Sequence, residues 1–249
     1  APVIAIPTAA GTGSEMGRAS IIIDENTRTK KVIFHPRMLP DIVIADPELT
    51  CTLPRWLTAA TGMDAFSHCL EAYCAHAFHP LADGIAIEGM RLIKNYLFRA
   101  FKDGDDLDAR TNMLAAAAMG AAAFQKGLGA MHAMSHSIGA LYNTQHGLTN
   151  AVVMPYVLEF NRKAIESKVQ RLAAWLELTP ANFENFFKFI MELRESLEIP
   201  ANLQALGLRD PDINRLAEMA SVDPSAAGNP IRLTVTDLRA LLCRAYEGI

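Results

Sequence analysis

Asp64 and His68 stand four residues apart in GMDAFSHCLEAY, and His132 and His136 repeat that spacing in GLGAMHAMSHSIGALYNTQHG. On a helix, residues four apart share a face, so each segment can aim two polar side chains at one point from an otherwise apolar run. His146 follows ten residues after His136. Between them, Tyr142-Asn143-Thr144-Gln145 with Asn143 and the following Gly147 predicts a helix end and a turn that swings His146 back to the same place. Imidazole nitrogens with one carboxylate and no thiolate suit Fe(II), Zn(II) or a similar ion, and the ligand types do not choose between iron and zinc. A single histidine pair on an apolar helix is more often a hydrogen-bonded core pair than a ligand pair. The convergence of a second pair and a third segment is what favours a metal. Glu71, one turn beyond His68, reads equally as a partner for a ligand histidine or as half of a surface ion pair.

A divalent ion held by four protein ligands can accept a fifth. There it eases loss of an alcohol proton or polarises a carbonyl, or it activates water. On the residues alone three readings stay open: an alcohol or aldehyde oxidoreductase, a zinc hydrolase or lyase, and a non-catalytic helical domain braced by metal. His136 carries an imidazole, a side chain suited to passing a proton. Its other reading is to orient a ligand by a hydrogen bond.

The elements that must position these residues follow from pattern. Residues 1 to about 45 carry four short β-branched runs, VIAIP, SIIID, KKVIF and DIVIA, separated by turn residues. After Asp46 the pattern is helical almost throughout. Pro54 and Pro80 sit where a first helical turn accepts proline, and Gly127 stops the Ala-rich run from Leu107 to Lys126. The alanines at 115–124 predict a tightly packed core helix rather than a flexible linker. Thr179-Pro180 is expected to open the helix FENFFKFIMELRESL, and Thr234 with Asp237 to form a capping box. The expected fold is mainly α, a C-terminal helical bundle preceded by short β segments, with the boundary near residue 45. No repeat at solenoid spacing is present.

With 249 residues, 51% of them hydrophobic, the chain can bury a large core. A net charge of -4 with both signs scattered gives no basic stripe for nucleic acid and no polybasic membrane patch. No apolar run reaches the length of a membrane span. Cys51, Cys69, Cys74 and Cys243 form neither a CxxC pair nor a secreted-type disulfide framework, so reduced thiols in a cytoplasmic protein are expected. His35, His76 and His79 fall in or beside His-Pro turns and read as surface residues.

The words around the ligands resemble the iron-containing (group III) alcohol dehydrogenases, the family that includes lactaldehyde reductase and propanediol dehydrogenase. Five ordered blocks carry the resemblance: AIPTAAGTGSE, LPDIVIADPEL, LTAATGMDAFSHCLEAY, GLGAMHAMSHSIGALYNTQHG with NAVVMPYVLEFN, and GNPIRLTVTDL. The resemblance implies a dehydroquinate synthase-like fold. In it, residues 1–45 are the C-terminal part of a nucleotide-binding α/β domain, and 46–249 form an all-helical metal-binding catalytic domain. It implies Asp64, His68, His132 and His146 as ligands of Fe(II), with zinc possible, and His136 as a histidine near the substrate that does not bind metal. It further implies NAD or NADP as hydride partner, a small alcohol or aldehyde as substrate, and a homodimer or higher homo-oligomer.

In PTAAGTGSE, Gly11 and Gly13 permit close backbone approach to phosphate, with the hydroxyls of Thr8 and Thr12 at hand. The resemblance also places Lys30 near the cofactor ribose or phosphate and Leu57 against the nicotinamide. Many relatives have two adjacent threonines where this chain has Thr8-Ala9, so one hydroxyl contact is expected to be missing. Opening on Ala1-Pro2 at a family block that usually follows a long nucleotide-binding half, the chain reads as one lacking that half. It is then expected to bind metal yet hold NAD poorly. Phe124, Tyr142 and Phe66 are candidates for the substrate wall, with facing that pattern does not fix.

Overall fold

The computed structural model describes residues 2–24 and 29–248, without the side chains of Ile21, Ile23 and 29–32. The four expected β runs are present as two separate ladders. β1 (Ile4–Ala5) pairs in parallel with β4 (Ile42–Val43), Ile4 facing Ile42. β2 (Ala19–Asp24) pairs antiparallel with β3 (Thr29–Phe34), Ala19 opposite Phe34 and Asp24 opposite Thr29. Ile4 and Ile42 are both more than half exposed, so this β layer lies outside the main core.

Beyond it, eight α-helices follow among the described residues: α1 (Arg55–Cys74), α2 (Pro80–Lys102), α3 (Leu107–Ala123), α4 (Ala130–Tyr142), α5 (His146–Trp175), α6 (Phe183–Ser196), α7 (Ile213–Ser221) and α8 (Val235–Glu247). The mainly α architecture is the one the pattern predicts.

α1 is the centre of the bundle. From Thr58 to Cys74 every residue except Thr61 is buried, because α2, α3 and α5 pack around it. A helix enclosed on all sides must be apolar all round, and the polar exceptions on α1 are therefore the informative residues. α3 is the alanine run, with Ala116, Ala117, Ala121 and Ala123 buried. Its missing side-chain bulk lets it approach α1 and α2 closely. Phe66, Met63, Leu70, Ile93, Leu97, Met134 and Ile138 fill the space between the helices.

Chain punctuation follows local chemistry. Pro54 is the N-cap of α1 and Pro80 the first residue of α2. The imidazoles of His35 and His79 accept from the backbone N–H groups of Arg37 and Ala82, so the two His-Pro turns are helix starts on the surface. Gly127 ends the 3-10 extension of α3. Thr234 and Asp237 form the expected capping box on α8.

Two boundaries differ from expectation. α6 is capped by Asn182, which accepts from Asn185 N–H, rather than by Thr179, because an Asx side chain nearer the helix satisfies its free N–H. Between α4 and α5, Asn143 ends the first helix in the left-handed region at φ 52°, and the turn is complete before Gly147. Gly147 is inside α5, where Gln145 caps Leu148 N–H. A glycine is needed there for contact: a Cβ on Gly147 would lie 2.1 Å from Ala60 O and 3.0 Å from Asp64 Cβ.

Candidate metal centre

α1 contributes Asp64 and His68, α4 contributes His132, and the first residue of α5 is His146. One donor atom from each of these four residues lies within 4.8 Å of the others. Asp64, His68 and His132 are buried, while the His146 side chain is 29% exposed and marks the open side. The rings of His68 and His132 stack at 4.6 Å, and those of His132 and His146 meet at 5.3 Å.

The four groups fit a cation on hydrogen-bond grounds. Among the described residues, His68 Nδ1 is buried without a hydrogen-bond partner, 3.9 Å from Asp64 Oδ2. Asn150 Nδ2 lies 3.0 Å from Asp64 Oδ1, 3.3 Å from His132 Nε2 and 3.2 Å from His146 Nε2. An amide nitrogen has two hydrogens to give and here meets three candidate acceptors. Buried polar atoms are normally satisfied, so this point holds more lone pairs than the described side chains have hydrogens for. Burial, reinforced by the neighbouring His68, His146 and His136, holds the His132 pKa well below its usual value. Burial likewise lowers that of His68 against the opposing charge of Asp64. Both shifts favour the neutral ring, the form a metal requires.

His136 belongs beside this cluster rather than in it. Its ring stacks on His146 at 5.3 Å and 11°, while Nδ1 is 3.0 Å from Asp223 Oδ2. Burial opposes ionisation of Asp223, but the bonds from His136 and Ser225 outweigh it and lower the carboxyl pKa. His136 borders a hollow of about 280 Å³ lined also by Ser137, Ala140, Met219, Val222 and Asp223.

Glu71 does not form a surface ion pair. It is buried, and its Oε2 lies 2.7 Å from His132 Nδ1. Burial pushes its carboxyl up to about 7 against the backbone N–H groups of Met131 and Gly129, which bond to it. Phe124 stands at the site wall, 5.1 Å from the His68 ring. Phe66, by contrast, is fully buried in the core against Phe189, and Tyr142 spends its hydroxyl accepting from Asp212 N–H.

In PTAAGTGSE, Thr8 and Thr12 are exposed and Gly11 and Gly13 buried. A Cβ on Gly13, where φ is +62°, would lie 2.3 Å from Ala117 O, and one on Gly11 would lie 3.0 Å from Thr61 Cβ. Packing of this loop on α3 and α1 is thus itself a sufficient reason for both glycines. Leu57 is half-buried in the first turn of α1. Lys30 lies in β3, and its side chain is outside the described residues.

The sequence reading missed Asn150 and Asp223. Asn150 follows His146 by four residues, so the spacing rule that found the ligand pairs also reaches it. Asp223 is far from His136 in sequence, and nothing local announces the contact.

Known proteins share this chain. The profile described as "Fe-containing alcohol dehydrogenase family, C-terminal" matches residues 58–246, and "Iron-containing alcohol dehydrogenase" matches 1–47. A 4-hydroxybutyrate dehydrogenase of Cupriavidus necator is 41% identical over 97% of this chain and 65% of its own length. Alcohol dehydrogenase 4 of Saccharomyces cerevisiae (strain ATCC 204508 / S288c) is 38% identical over 99% of this chain and 65% of its own. Among solved structures, a 1,3-propanediol oxidoreductase superposes with a TM-score of 0.93 at 36% identity, covering 98% of this chain and 66% of that one. An iron-containing alcohol dehydrogenase from Thermococcus thioreducens gives 0.90 at 31% identity, over 100% of this chain and 65% of that one. The chain therefore spans about two thirds of the length of these relatives. Both the profile match across α1 to α8 and the superposition of the helices that bring Asp64, His68, His132 and His146 together lead to one conclusion: the chain belongs to the iron-containing alcohol dehydrogenase family.

Proposed function

We propose that this chain forms the metal-binding part of an NAD(P)-dependent alcohol dehydrogenase or aldehyde reductase for a small alcohol, with Asp64, His68, His132 and His146 holding Fe(II). The observation that carries the reading is the convergence of these four donor atoms, three of them buried, on one point between α1, α4 and α5. Iron is preferred to zinc because the family is iron-containing; the donor set suits either ion. Bound there, the ion supplies Lewis acidity to an alcohol or carbonyl oxygen, and a nicotinamide cofactor supplies the hydride chemistry.

The chain's own residues do the rest. His146 and the hollow beside His136 form the accessible side of the centre, so substrate approaches there. With Nδ1 held by Asp223, His136 keeps Nε2 to take or give a proton. Phe124 narrows the wall beside His68. Leu57, which the family resemblance sets against the nicotinamide ring, is seven residues before Asp64 on α1 and shares its face of the helix, which supports that role. Thr8, Gly11, Thr12, Gly13 and Lys30 serve the rest of the cofactor. The change from strand to helix after Asp46 supports a division into a nucleotide-binding portion, 1–45, and a catalytic helical portion, 46–249.

The test is elemental analysis of anaerobically purified wild-type chain and His132→Ala. It is joined to an NADH assay with aldehydes on the chain fused behind the part of the Cupriavidus necator relative that it does not cover. About one iron per wild-type chain, lost in the variant together with NADH oxidation, is expected. Zinc with hydrolysis and no NADH consumption would replace this reading with that of a hydrolase, and no bound metal would end it.

A further inference from the structure

Glu71 is buried at 5% exposure, yet among the described residues it pairs with no lysine or arginine. Instead it crosses from α1 to the start of α4. Its Oε2 accepts from Gly129 N–H at 2.8 Å and meets His132 Nδ1 at 2.7 Å, while Oε1 accepts from Met131 N–H at 2.7 Å. Helix α4 opens on Gly129, which has no side chain with which to cap it. The free N–H groups of its first turn are satisfied from elsewhere, by Glu71 and by Asn229, whose Oδ1 accepts from Ala130 N–H at 3.2 Å. The approach depends on glycine: a Cβ on Gly129 would lie 2.8 Å from Glu71 Oε1 and 2.9 Å from Asn229 Oδ1.

The contacts on the other side of the ring are compatible with a hydrogen on His132 Nδ1. Asp64 can only accept, so its 3.0 Å contact identifies the Asn150 atom facing it as the amide nitrogen. That nitrogen lies 3.3 Å from His132 Nε2. A lone pair on Nε2 can accept from that nitrogen, and it leaves the ring hydrogen on Nδ1, where Glu71 can accept it.

We infer that Glu71 is the positioning residue of the metal centre: it fixes the Nδ1–H tautomer and the orientation of His132, so that Nε2 is aimed at the ion. This rests on the proposed reading of Asp64, His68, His132 and His146 as ligands. One carboxylate does two things through this contact. It chooses the ring nitrogen offered to the metal, and it ties the helix bearing Asp64 and His68 to the helix bearing His132. Partners of this kind raise the basicity of a ligand histidine, and their loss costs roughly 10- to 100-fold in metal affinity.

The experiment compares wild type, Glu71→Gln and Asn229→Ala in the 249-residue chain. Zinc affinity is measured by competition with a chromophoric chelator, and the tautomer of His132 by long-range 1H–15N correlation on histidine-labelled protein, assigned with His132→Ala. Wild type is expected to show Nδ1–H. Glu71→Gln is expected to lose it and to bind zinc 10- to 100-fold more weakly. Asn229→Ala, which removes part of the same helix cap but leaves the Glu71 contact, is expected to keep the tautomer and to hold affinity within a few fold. An Nε2–H tautomer in wild type overturns the inference, and that measurement stands even if Glu71→Gln does not fold. Unchanged tautomer or affinity in Glu71→Gln also overturns it, as does an equal loss of affinity in Asn229→Ala, which would reduce Glu71 to a cap. Absence of zinc binding by wild type would instead sink the reading of the four ligands, while the tautomer still tests Glu71.

Discussion

Replacing Gly147 by alanine probes how closely α5 must approach α1 for the centre to exist. The added Cβ would lie 2.1 Å from Ala60 O, 2.8 Å from Ala60 C and 3.0 Å from Asp64 Cβ. Ordinary van der Waals contact begins at 3.4 Å, so the two backbones must part by more than an ångström. Neither contact with Ala60 is to a flexible side chain, and no rotamer change can relieve it. Overpacking of this kind costs about 1–3 kcal/mol. For a chain of this size that is about 2–4 °C in Tm per kcal/mol, a fall of roughly 2–12 °C in a thermal melt. The effect on the centre is of comparable size. Metal–ligand distances tolerate about 0.2 Å, and the displaced helix carries His146 while Asp64 stays on α1. Zinc affinity, measured by chelator competition at a temperature where both proteins are folded, is expected to fall by tenfold or more, on the order of a lost supporting contact. A Gly147→Ala chain with wild-type melting temperature and wild-type affinity would refute the argument that this glycine sets the separation of the ligand helices.

Other outcomes are open to direct measurement. Raising free zinc to ~100 times its Kd is expected to stabilise the wild-type chain by about 2.7 kcal/mol, and a chelator to reverse this, with no such gain in His132→Ala; an equal gain in both would place the metal elsewhere. Thr234→Ala removes the capping box of α8, and a loss of about 1 kcal/mol by denaturant titration is expected; no change would mean that packing alone holds that end. In native protein at pH 8, iodoacetamide is expected to label Cys51 and Cys243, which are partly exposed, and to spare Cys69 and Cys74. Burial pushes both latter thiols up to about 12, so almost no thiolate is present. Mass spectrometry showing rapid labelling of Cys69 would contradict that burial.

Local pattern determined a large share of this protein. Asp64/His68 and His132 were legible because the helical period turns a spacing of four into a shared face whatever the tertiary structure. The alanine run, the Thr234 cap, the helix start at Pro80 and the change from strand to helix after Asp46 were legible for the same reason, since propensity and capping act between near neighbours in the chain. The neighbouring words supplied the family. What only the tertiary structure decided is contact between segments far apart in sequence. It placed Gly147 against Ala60 rather than in the turn after Asn143. It paired His136 with Asp223, turned Phe66 into the core and Phe124 towards His68, and chose between the two readings of Glu71. A buried carboxylate and an exposed one are written with the same letter. Which of them Glu71 is depends on whether another helix starts within hydrogen-bond reach, and that follows from how α1 and α4 pack, which no spacing along either helix contains.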